Sequence, residues 1–225
     1  MSAADAPARE RTGWVLLIGL GAALYSHWYD RFQLPPRLPG SFGLILGGDV
    51  LPLFAVPALA VRFALRDRLA RFGWRWPGLR AAALAAAGAY AAVLPFVLWL
   101  SQRPEFQAFY PSPAFPPARH HWIGLAFLWL LHHAPQMFAT EFCFRGFLLQ
   151  PLGRELGVAR AIAVTTAPYV LLHLDKPPLE LFQATWAGVA FGVAAWRTRS
   201  FWPAFAAHWA IAVTMDWLCW LHLPH

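Results

Sequence analysis

The sequence predicts an all-α protein, a polytopic membrane helix bundle of about seven transmembrane helices. Three observations carry that prediction. Of 225 residues, 59% are hydrophobic and only 13% are charged, against the roughly 25% of charged residues that cover a soluble domain. The apolar residues gather in runs that reach the roughly 20 residues a helix needs to cross a 30 Å hydrocarbon core. Arginines and prolines punctuate the chain between those runs, where loops belong.

Taken in order, the runs place helices near 13–29, 41–63, 79–100, 121–150, 159–173, 180–196 and 201–221. No internal repeat or low-complexity segment divides them, so 1–225 reads as a single membrane domain. The first run follows Arg9 and Arg11 as a signal peptide would. It continues to Trp28 without a small-x-small cleavage site, so a retained span is expected. The second run carries Asp49, expected to be a hydrogen-bonding residue of the bundle interior. After the third, Pro104, Pro111, Pro113, Pro116 and Pro117 exclude a regular helix. Segment 101–120 is therefore expected to be an external loop. The fourth run would be roughly 45 Å long if fully helical, so it must tilt, protrude or break at Pro135. The tight Lys176-Pro177-Pro178 turn makes the fifth and sixth helices antiparallel neighbours.

Charge sets the expected orientation. With the N-terminus inside, one side holds Arg9, Arg11, Arg62, Arg66, Arg68, Arg71, Arg75, Arg80, Arg154, Arg160, Arg197 and Arg199. The other holds Arg31, Arg37, Arg103, Arg119 and Lys176. Twelve against five predicts a cytoplasmic N-terminus and an outside C-terminus. The formal charge of +7 builds no continuous basic face, which argues against a nucleic-acid partner and leaves the lipid bilayer as the surroundings. Cys143 and Cys219 sit inside apolar runs and read as small buried hydrophobes.

Ionisable residues inside membrane helices are costly and usually face a partner or a wet cavity. Here they form three constellations. Glu141 and Arg145, in Thr140-Glu141-Phe142-Cys143-Phe144-Arg145-Gly146, share a helical face at i, i+4, either as a register pair or as a carboxylate tuned by its arginine. His173 ends the apolar run that begins near 159, and Glu180 follows across the turn. His208 lies inside the last run, with Asp216 two turns on and about 80° away around an ideal helix. His132 and His133 are expected at the interface, and His120, His121, His222 and His225 in loops or the tail.

In this order the three blocks resemble the CPBP family of CAAX-processing and bacteriocin-processing intramembrane endopeptidases. That family carries a Glu-Glu-x-x-x-Arg helix, a Phe/Tyr-x-x-x-His helix and a final His-x-x-x-Asn/Asp helix. The counterparts here are Thr140–Arg145, Tyr169–His173 and His208–Ala212, preceded by a family-like Arg197–Pro203 run. The family-like catalytic core would span about 121–221. Thr140 stands where the family has its first glutamate, and Ala212 where it has Asn or Asp. Either the chain is an inactive scaffold or regulator on the same fold, or other carboxylates, Glu180 and Asp216, take over.

The resemblance implies an endopeptidase of a bacterial inner membrane that hydrolyses a membrane-embedded peptide or protein, with protein-sorting, myxosortase-like systems among its uses. Glu141, with His173, would activate water, Arg145 would tune Glu141, and His208 would stabilise the oxyanion. Glu180 and Asp216 would fix the imidazole tautomers. Two histidines and a carboxylate also match a catalytic zinc shell in type. The resemblance favours a glutamate mechanism with no cofactor, and zinc is the alternative.

Overall fold

The computed structural model describes residues 8–32, 45–113 and 116–223, which form helices and no strand. The helices are α1 (Ala8–Phe32), α2 (45–64), α3 (Leu79–Leu100), the short α4 (Pro104–Phe109) and α5 (Pro117–His120), α6 (122–156), α7 (Val158–Leu171), α8 (Pro178–Thr198) and α9 (Trp202–Trp220). Residues 41–44 of the second expected span, Arg37 and His225 lie outside the described residues.

The chain is all-α as expected, with two local differences. Segment 101–120 holds two short helices, because Pro104 and Pro117 occupy first-turn positions where a missing N–H is harmless. Helix α6 does not break at Pro135. A wide π-helical stretch, Leu128–His133, precedes that proline and accommodates the lost backbone hydrogen bond, and a second, Phe142–Leu148, follows. The helix then runs on to Leu156, six residues past the expected end, and Gly157 turns the chain into α7 at φ +81°.

Backbone and side-chain bonds gather one end of the bundle. Arg11 pairs with Asp67 at 3.3 Å, and Thr12 bonds Glu155. Arg154 donates to the Arg71 carbonyl, and Ser200 Oγ donates to the Arg75 carbonyl at 2.6 Å. The start of α1, the 65–78 connection, the α6–α7 corner and the α8–α9 corner therefore meet. The long helices consequently alternate in direction. Trp74, carried by that connection, packs among Phe54, Phe138, Phe142, Phe201 and Trp202 and closes this end with aromatic rings.

The outside of the bundle is apolar, and its charged side chains are buried within an otherwise apolar core. Leu79, Phe63 and Trp122 are 76%, 69% and 66% exposed, whereas Glu141 and Asp216 are 0% exposed and Arg145 is 1%. In water that arrangement would be unfavourable at roughly 25 cal/mol per Å² of apolar surface; in lipid it is the stable one. On length and hydropathy two helices, Leu46–Ala64 and Leu79–Leu100, are apolar enough to cross a bilayer among the described residues. In α6 through α9 the inward-turned His, Glu, Gln, Arg and Asp residues lower the average.

Helices α7 and α8 are packed neighbours, as the Lys-Pro-Pro turn requires. Gly188 and Gly192, one turn apart on α8, allow the close approach. A Cβ at Gly188 would stand 2.5 Å from Thr166 Cγ2.

Candidate active site

Five helices bring the predicted polar residues to one place. Glu141 and Arg145 on α6 form the expected i, i+4 pair, with Arg145 Nε 3.2 Å from Glu141 Oε2. The other carboxylate oxygen, Oε1, lies 2.7 Å from Nδ1 of His208 on α9. Arg145 also stacks over the Tyr169 ring, 4.2 Å from its centroid. Its Nη2 donates to the Gly188 carbonyl at 3.5 Å. The guanidinium thereby ties α6, α7 and α8 together around one buried charge pair.

Tyr169 on α7 connects the two family-like histidines. Its hydroxyl is 3.5 Å from His208 Nε2, and its ring meets the His173 ring at 4.9 Å. His173 Nδ1 donates to the Tyr169 carbonyl at 3.1 Å, which fixes the tautomer and turns Nε2 towards Glu180, 4.0 Å away. Glu180 itself is held. It accepts from Lys176 at 2.9 Å and from the Tyr110 hydroxyl at 2.8 and 2.7 Å.

Sequence alone sets His173 deeper in the bundle than Glu141, by roughly 5–10 Å at 1.5 Å per residue. The structure removes the mismatch. Because α6 continues to Leu156, Glu141 stands fifteen residues from the α6–α7 corner, and His173 stands fifteen residues from Val158 on the other side of it.

Asp216 takes a different partner from the one anticipated. Its Oδ2 accepts from His133 Nε2 at 2.8 Å and from Trp129 Nε1 at 3.2 Å. His133 in turn lies 3.2 Å, Nδ1 to Nδ1, from His132. Since α6 and α9 are antiparallel, they carry two acid–imidazole rungs, Glu141–His208 and His133–Asp216, with acid and base exchanged between the helices. His133 is therefore a buried member of the site rather than an interfacial residue. Its signal in the sequence is its place seven residues before Thr140, two helical turns along the same face.

Two adjoining cavities run between these groups. One of about 80 Å³ is walled by Tyr110, His133, Tyr169, His173, Glu180 and His208, among others, and also by Ala212. At about 10–15 Å³ per water it has room for several. A smaller one of about 50 Å³ is bounded by Asp49, Gln136, Thr140, His173 and His208. Glu141 lines neither and sits behind His208. Among the described residues no three His, Cys, Asp or Glu side chains gather closely enough to hold a metal ion. What the arrangement offers is two imidazoles lining one cavity, each with a carboxylate behind or beside it and with the Tyr169 hydroxyl between them.

Residues 122–214 match the family model described as type II CAAX prenyl endopeptidase, Rce1-like. The match runs from the start of α6 into α9, somewhat under half of the chain, and contains Glu141, Arg145, Tyr169, His173, Glu180 and His208. No curated protein and no solved structure matches.

Proposed function

We propose that this chain is an intramembrane endopeptidase of the CPBP type that hydrolyses a peptide bond of a membrane-anchored or hydrophobic peptide or protein, a reading supported by the Rce1-like match of residues 122–214. The reading takes 1–225 as one domain whose seven long helices cross a bacterial inner membrane. The N-terminus lies in the cytoplasm and the C-terminus outside. The observation that carries it is the joining of Glu141, His208, Tyr169 and His173, from three helices, beside a cavity large enough for water and a peptide carbonyl.

The chemistry needs an acceptor for the proton of water, a donor to the oxyanion and a donor to the leaving amine. His173 Nε2 is the acceptor, and Glu180 stabilises the imidazolium that forms. His208, as the imidazolium paired through Nδ1–H with the Glu141 carboxylate, donates its Nε2–H to the oxyanion. Glu141 thus works through His208, and Arg145 balances its charge. Collapse of the tetrahedral intermediate breaks the C–N bond, and the proton on His173 goes to the amine. No step is routed through a metal.

Proteomics of a strain carrying Glu141→Ala tests the proposal. At least one membrane protein is expected to gain an uncut terminus, while the variant reaches the membrane in normal amount. A second reading, an inactive scaffold, draws on Thr140 and Ala212. It takes over if Ala at Glu141, His173 and His208 each leaves every terminus unchanged.

A further inference from the structure

The smaller cavity holds a carboxylate that the family-like motifs do not account for. Thr140, in the place of the family's first glutamate, faces this space together with His173 and His208. So does Asp49 of α2, which is outside the matched segment and only 5% exposed. Asp49 is aimed by two donors, Gln136 Nε2 at 3.0 Å on Oδ2 and Ser26 Oγ at 3.4 Å on Oδ1. Gln136 also borders the larger cavity, one turn before Thr140 on α6, and His173 and His208 line both spaces. Glu141 lines neither cavity, and Glu180 lines only the larger one.

We propose that Asp49 supplies from α2 the water-contacting carboxylate that Thr140 has removed from α6, as a catalytic residue of the hydrolysis proposed above. The attacking water lies between His173 Nε2 and Asp49. One O–H bond breaks and its proton goes to His173 as the oxygen bonds the carbonyl carbon. The other O–H donates to Asp49, which directs the oxygen lone pair at the carbonyl. When the C–N bond breaks, the His173 proton goes to the leaving nitrogen. The proton of the new carboxylic acid passes to Asp49, the product leaves as a carboxylate, and Asp49 returns that proton to the water that refills the cavity, which restores its carboxylate.

The inference rests on the protease reading, and the test separates the two. The probe is the membrane protein whose uncut terminus accumulates in the Glu141→Ala strain, and its cutting rate is followed by pulse–chase in cells expressing each full-length variant. Asp49→Asn, an isostere, and Asp49→Ala should both slow cutting by about 100-fold or more, the usual scale for a group that assists proton transfer. Adding Thr140→Glu to Asp49→Ala, which restores an acid to the space vacated, should recover at least about tenfold. A purely structural Asp49 would give no such rescue. Wild-type cutting by Asp49→Asn, or a Thr140→Glu/Asp49→Ala chain no faster than Asp49→Ala, overturns the assignment and leaves the protease reading standing. If no terminus accumulates even with Glu141→Ala, the protease reading falls and the role of Asp49 falls with it.

Discussion

His208 and His173 are each anchored at Nδ1, His208 by Glu141 and His173 by a backbone carbonyl. The partner of His173 is in turn restrained by Tyr110, far away in sequence in the proline-rich 101–120 segment. Burial first, and then the Glu180 carboxylate, push the Tyr110 phenol well above its usual 10.0. A group whose pKa rises on folding contributes its stabilisation below the unfolded value and loses it as pH climbs past the folded one. Tyr110 therefore stays a protonated donor to Glu180 throughout neutral and mildly alkaline pH. Removing that hydroxyl with Tyr110→Phe costs a hydrogen bond to a charged group, about 1.5–3 kcal/mol. Glu180 is left to Lys176 alone. Cutting should slow by roughly tenfold or more at an unchanged amount of protein in the membrane. A Tyr110→Phe chain as fast as wild type would disconnect Glu180 from the chemistry.

At the scale of the helix, the site depends on how closely α8 approaches α7 and α6. Gly188 is the point of contact. Its missing side chain admits Thr166, and its carbonyl accepts from Arg145. Gly188→Leu should destabilise the bundle by the roughly 1–3 kcal/mol typical of overpacking. It should also lower the melting temperature in detergent, whereas Val189→Leu, on the 41% exposed neighbouring position, should leave it unchanged. Equal melting points would mean that the α7–α8 contact gives way without loss. These helices are legible in the sequence because an ionisable residue inside an apolar run stands out, as Glu141, Arg145, His173 and His208 do. What joins the elements is less legible. Tyr110 and Glu180 are 70 positions apart, and Asp49 and Gln136 are 87 apart. No periodicity within a helix reports such a pairing. The π-helical stretches that carry α6 past Pro135 and on to Leu156 leave no compositional trace either, which is why the sequence puts its end at 150. The partner of Asp216 is hidden for a related reason: it is the imidazole of His133 on the antiparallel helix, 83 positions away.

At the scale of the molecule, the basic residues and the buried charged side chains describe a bundle with two unlike ends. Arg68, Arg71, Arg75, Arg154, Arg197 and Arg199 lie in or beside the connections that meet at the aromatic plug around Trp74. The opposite end holds 101–113, 116–121 and the 172–177 turn, with Tyr110 and Lys176 lining the cavity. Helix α3 joins the two, and its 22 residues span about 33 Å, close to the roughly 30 Å hydrocarbon thickness. If the basic end is cytoplasmic, as retention of arginine requires, a cysteine on each side of α3 should differ in access from outside the cell. Cys143 and Cys219 are buried and give a low background. Ala70→Cys should be protected from a membrane-impermeant maleimide in intact cells and react after lysis, whereas Gln102→Cys should react in both. The reverse pattern would keep the transmembrane bundle and invert it, moving the Tyr110 side to the cytoplasm. Labelling of both positions in intact cells would show that α3 does not cross the bilayer, and a cavity meant to cut peptides within lipid would then lose its setting.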